Sequence, residues 1–178
     1  MKNLSAALSV ELIKTRKSRI LPATLMVFAF IPLMMGLMMF VARNPDIAAK
    51  LGMIGTKAKL FGENDWTGYF ALLSQMIASI GLIGSGFVTA WVFSREHSDR
   101  TMKDILALPV PRSSIASAKL AVVMGWFLLL ALILYGVGIT LGLLMHLPGW
   151  SEPLFMQFTG RFLATSLLTL LLSSPVAF

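Results

Sequence analysis

The chain has 178 residues, 57% of them apolar and 13% charged, with a formal net charge of +7 and no cysteine. A soluble domain carries about a quarter charged residues and breaks its apolar runs with solvent-facing charges every turn or two. Here the charges gather in 1–19, 43–65, 95–119 and, sparsely, 146–161, which excludes an ordinary soluble globule; the missing cysteines exclude a disulfide framework or thiolate metal site.

Residues 1–19 form a basic segment, with Lys2, Lys14, Arg16, Lys17 and Arg19 against the single acid Glu11. Residues 20–41 follow as the first transmembrane span, since roughly 20 apolar residues cross about 30 Å of hydrocarbon. The run is too long for a cleavable signal, and no small-residue cleavage site follows before Arg43. Pro22 sits near its start, where a missing N–H costs little. Pro32 is internal and should kink the helix unless neighbours satisfy the freed carbonyl.

Residues 42–68 read as an external loop of mixed charge and 69–93 as the second span. On its helical face Ser74, Ala78, Gly81, Ser85 and Thr89 recur at spacings of four, three, four and four. Small residues of this kind let helix backbones approach in lipid, where no hydrophobic force draws helices together. Gln75 is an amide near the outer end of that span. The stripe reads as a helix-packing face, or as part of a substrate path or dimer seam. Gly84-Ser85-Gly86 faintly resembles an intramembrane serine hydrolase, which requires a base histidine on another helix. Of the two histidines, His97 falls in the next loop and His146 at the outer edge of the third span, so no catalytic pair or metal site is expected.

Residues 94–119 form a cytoplasmic loop. Ser98 or Asp99 is placed to cap a short helix over Arg100–Leu108, in which Met102, Ile105 and Leu106 make one apolar face. Pro109 ends it. Apolar knobs ringed by both signs of charge suit a docked protein better than bare lipid. The third span is 120–145, with Ala131, Tyr135, Gly138 and Gly142 on one face. Residues 146–161 are an external loop, and 162–178 a fourth, incomplete span with the hydroxyl stripe Thr165, Thr169 and Ser173. No polar anchor follows that span, so the sequence is expected to be a truncated product or an excerpt.

As drawn, no span contains Asp, Glu, Lys or Arg, which disfavours an ion-coupled carrier. No phosphate-binding loop motif is present, so any energy source lies on another subunit. The two most basic connections, 1–19 and 94–119, must share a side in an alternating topology, which places both in the cytoplasm. Basic residues that flank spans meet anionic lipid head groups rather than nucleic acid.

The segment from Phe93 to Ser114 resembles the hallmark loop of ABC-2 type transporter permeases, in the bacitracin or lantibiotic-export branch. The pattern is Glu96, then Arg100-Thr101, then Ile105-Leu106-Ala107-Leu108-Pro109, Arg112 and a downstream Lys119. The opening Glu11-Leu12-Ile13-Lys14 resembles the same family's N-terminal motif. The resemblance implies an all-α integral membrane fold of six spans, four of them visible here, with an N-terminal interfacial helix and a cytoplasmic coupling helix. It implies a non-catalytic permease subunit in a bacterial plasma membrane, paired with a second permease copy or homologue. ATP and magnesium would be held by a separate ABC ATP-binding subunit. Glu96, Arg100, Thr101, Met102, Ile105, Leu106 and Arg112 would dock that subunit, supported by Glu11 and Lys14. The rival reading is a membrane anchor or immunity protein that binds a partner through 94–119 and moves nothing.

Overall fold

The computed structural model describes residues 2–50, 65–98, 101 and 111–173. Every element among them is an α-helix: α1 Lys2–Arg16, α2 Ile20–Arg43, α3 Pro45–Lys50, α4 Trp66–Ser98, α5 Arg112–Leu144 and α6 Glu152–Ser173. Four of these, α2, α4, α5 and α6, are long and apolar enough to cross a membrane. The chain is an all-α integral membrane protein.

Helix ends follow local chemistry more closely than hydropathy. α4 starts at Trp66 because the Asp65 carboxylate accepts the Gly68 N–H at 2.8 Å, an N-cap that reaches back before the apolar run. α5 starts at Arg112, directly after Pro111, whose φ of −58° and ψ of 133° hold it outside the helix. α6 starts at Glu152 rather than near Phe162, so most of the expected loop 146–161 is helical. Ser151-Glu152-Pro153 is the reason: Ser151 accepts the Phe155 N–H through its carbonyl, and an acid and a proline occupy the first turn. α5 ends where His146 adopts a φ of 47° and its N–H caps the Leu143 carbonyl. α2 continues through Pro32, whose ring is buried.

α4 and α5 have 33 residues each, about 50 Å at 1.5 Å per residue, against about 30 Å of hydrocarbon. Both therefore project beyond the apolar layer. α4 packs against α5 and α6, α2 against α5, and α1 lies across α5. Because consecutive spans alternate in direction, α1, the start of α2, the end of α4 and the start of α5 meet on one side.

The core holds Phe28, Met39, Tyr69, Leu73, Ile77, Phe127, Leu130 and Leu134. Glycines set the spacing at the far end of α5. A Cβ on Gly138 would fall 2.9 Å from the Leu73 methyls, and one on Gly142 2.5 Å from the Trp66 ring. The Tyr69 hydroxyl donates to the Gly138 carbonyl at 2.8 Å. That end is closed by an aromatic cluster in which Trp66 meets Trp150 at 4.8 Å and Phe70 stacks on Phe158 at 4.0 Å.

Of the small and hydroxyl residues read as packing or path groups, Gly81, Ser85, Thr89, Gly138, Gly142 and Thr169 are buried between helices. Ser74 and Thr165 are half-buried, while Gln75 and Ala78 face outward. The Ser85 hydroxyl donates to the Leu82 carbonyl of its own helix at 3.0 Å, and Thr89 to Ser85 at 2.7 Å. These hydroxyls satisfy themselves locally, as hydroxyls in an apolar helix do.

Candidate functional site

The buried stripe of α4 passes through Val88 and Val92 and arrives, four residues later, at a carboxylate: Glu96 is 6% exposed. On α1 the same i, i+4 step buries Glu11, 3% exposed, and Thr15. On α5, Lys119 is 4% exposed. A lone charge in such a place costs several kcal/mol, so each must be paired.

The pairing joins three helices. Glu11 Oε2 lies 2.9 Å from Arg95 Nη2, and Glu11 Oε1 lies 3.3 Å from Lys14 Nζ. Glu96 Oε1 lies 3.0 Å from Lys119 Nζ and 3.6 Å from Lys14 Nζ. The Lys119 ammonium also donates to the Val92 carbonyl at 3.0 Å and stands 5.7 Å from the Phe93 ring. Arg95 lies over Trp91 at 5.0 Å, and Trp91 meets Trp126 of α5 edge-on at 5.7 Å. Lys14 bridges both carboxylates, so α1 is pinned to α4 directly and to α5 through Glu96.

The cluster sits at the root of the 99–111 connection. The Thr101 N–H donates to the backbone carbonyl of Glu96 at 3.1 Å, which ties the start of the connection to a residue of the cluster. Its other end enters α5, which carries Lys119 two turns on. The ends of α4 and α5 that flank this connection are thus held together by charge.

The sequence-predicted docking residues divide accordingly. Glu96, Glu11 and Lys14 come together, but both carboxylates turn inward onto cations of this chain instead of facing a partner. Thr101 is half-buried and Arg112 exposed. Arg100, Met102, Ile105, Leu106 and the expected helix over Arg100–Leu108 lie outside the described residues. Within 94–119, residues up to Ser98 belong to α4 and those from Arg112 to α5. Sequence reasoning counted Arg95 and Lys119 among loop charges and motif positions without assigning them these partners. The available signal was the continuation of the Val88, Val92 stripe into Glu96, which demands a cation on the facing helix.

With α6 starting at Glu152, Arg161 falls within the helix of the fourth candidate span, as Arg95, Glu96 and Lys119 fall within the long helices α4 and α5. Arg161 borders a groove of about 380 Å³ between α4 and α6, together with Thr67, Ser74, Gln157 and Thr165. No carboxylate among the described residues pairs with it.

Comparison with known proteins agrees with this architecture. The bacitracin transport permease protein BCRB of Bacillus licheniformis is 29% identical over 103 residues, which cover 58% of this chain and 50% of that relative. The chain thus spans about half the length of the curated relative it matches. No solved structure matches the chain. A family model described as "ABC-2 family transporter protein" matches residues 7–178, nearly the whole chain, and the chain belongs to that family.

Proposed function

We propose that this chain is a permease subunit of an ABC exporter, driven by ATP hydrolysis on a separate ATP-binding subunit. The N-terminus and the 94–119 region face the cytoplasm of a bacterial cell, and the chain pairs with a second permease copy or homologue. Peptide antibiotics are the substrate class, on the strength of the relative's name. ATP and magnesium belong to the partner subunit.

The observation that carries this reading is the convergence of α1, α4 and α5 on one ion-paired cluster at the helix ends that flank residues 99–111. In this mechanism the ATPase seats the apolar face Met102, Ile105 and Leu106, with Arg100, Thr101 and Arg112 at its rim. Closure of the ATPase pair pushes the connection. The cluster makes α1, α4 and α5 respond as one lever, so the push rocks packed helices between two arrangements instead of fraying helix ends. Glu11, Lys14 and Glu96 serve the lever rather than the docking surface. Helices packed through Gly138 and Gly142 suit such a lever, because close contact leaves little slack.

The test is co-purification of the ATP-binding subunit with the Leu106→Asp variant. Loss of the ATPase, with the permease still in the membrane, is the expected result. Undiminished co-purification refutes the docking role. A label at position 100 that reacts from outside intact cells refutes the orientation.

A further inference from the structure

Beneath α1 lies a cavity of about 390 Å³ formed by α1, the start of α2 and α5. Its walls are apolar: Leu8, Leu12, Val122, Gly125 and Leu129 line it, with Trp126 at its base. From Ala121 to Leu129 it follows α5 for about 12 Å, eight residues at 1.5 Å. Two polar residues of α1, Thr15 and Arg16, border it. Arg16 is exposed, and no carboxylate among the described residues pairs with it. The Thr15 hydroxyl is buried without a hydrogen-bond partner. An exposed guanidinium without a carboxylate partner, above an apolar slot, suits an amphiphile with an anionic head.

We infer that the crevice between α1 and α5 binds an anionic phospholipid of the adjacent leaflet, its phosphate on Arg16 and one acyl chain along Val122, Gly125 and Leu129. The charges around the site agree. Glu11, the nearest acid on α1, is neutralised by Lys14 and Arg95. Arg16 and the exposed Lys17 and Arg19 leave the rim cationic. A free phosphate ion would satisfy Arg16 but leave the slot lined by hydrocarbon empty. Trp126 has no spare donor for the head group, because its indole N–H already donates to Thr24 at 3.1 Å. The bound lipid fills the space under α1 one turn from Lys14, and so holds α1 in the position the charge cluster requires. The inference stands on the cavity alone and does not depend on the proposed ATPase contact.

Gly125 provides the test. A Cβ added there meets nothing within 4 Å, so a side chain can leave the helix at this point, and Gly125→Leu directs one into the slot. Gly136, on the same helix but away from the cavity, is equally open and gives the control Gly136→Leu. The full chain is purified in an uncharged detergent and titrated with phosphatidylglycerol or phosphatidylcholine. Retained lipid is read by native mass spectrometry and stability by the thermal midpoint. The wild type and Gly136→Leu should retain phosphatidylglycerol and gain stability from it. Gly125→Leu should lose that retention, with a lipid-free midpoint no lower than that of the wild type. Arg16→Gln should bind phosphatidylglycerol about tenfold more weakly, the scale of one charged hydrogen bond, and lose its preference over phosphatidylcholine. Retention that survives Gly125→Leu overturns the site. An equal rise in midpoint with inorganic phosphate alone overturns the lipid, and a preference that survives Arg16→Gln overturns the assignment of the head group.

Discussion

Lys119→Met removes the cation nearest Glu96 and should be among the most damaging single changes in this chain. Both side chains are nearly inaccessible, 5% and 7% exposed, and their charges stand 3.0 Å apart. Removing one partner of a buried ion pair typically costs about 3–5 kcal/mol, because the remaining charge stays buried. Lys14 is 3.6 Å from the same oxygen but is itself 37% exposed, so its compensation is weakened by solvent and the expected cost is about 3 kcal/mol. The lost donation to Val92 adds little, since that carbonyl lies inside α4 and keeps its helical partner. Replacing both charges, Glu96→Gln with Lys119→Met, removes this buried pair together and leaves the Glu11–Arg95 pair intact. It should recover to within about 1 kcal/mol of the wild type. The assay is reversible unfolding in mixed micelles, followed by tryptophan fluorescence, with Trp91 beside Arg95 as the local reporter. A single variant as stable as the wild type, or a double variant worse than the single, refutes the claim that the cluster is a closed ion-paired unit.

Two further outcomes follow from the packing of α4 on α5. Gly142→Ala drives a methyl to 2.5 Å from a Trp66 ring that Tyr69, Phe70 and Trp150 hold in place, so unfolding in the same micelles should show a loss of about 1–3 kcal/mol. Gly136→Ala, with open space around it, should lose nothing and gain up to about 1 kcal/mol; equal losses at the two positions would mean that close packing is not what Gly142 provides. Tyr69→Phe removes the 2.8 Å hydrogen bond to the Gly138 carbonyl and nothing else. A loss of about 1 kcal/mol is expected by the same measurement, and no loss would show that the hydroxyl contributes nothing to holding the two helices.

Much of the architecture was legible from composition. Lipid tolerates long uncharged runs and water does not, so four spans, their order and the basic flanks could be read directly. The family motif was legible too, because Glu96, Arg100-Thr101, Leu108-Pro109 and Arg112 sit at fixed spacings in one short segment. Helix ends were not legible from hydropathy. Asp65 starts α4 by capping, and Glu152-Pro153 put an acid and a proline in the first turn of α6, both ahead of the apolar residues, so Arg161 falls in a helix instead of a loop.

The sequence by itself determined that this chain lives in a membrane, because transfer free energy depends on residue type and run length and on nothing distant. It could not determine which charges are spent inside the protein. Glu11 and Arg95 are 84 positions apart, and Glu96 and Lys119 are separated by the connection they brace. Pairing across such distances is set by how α1, α4 and α5 pack, and the strength of each pair by the water that packing removes. Only the tertiary structure turned residues read as a docking surface into an internal brace and opened the crevice beneath α1.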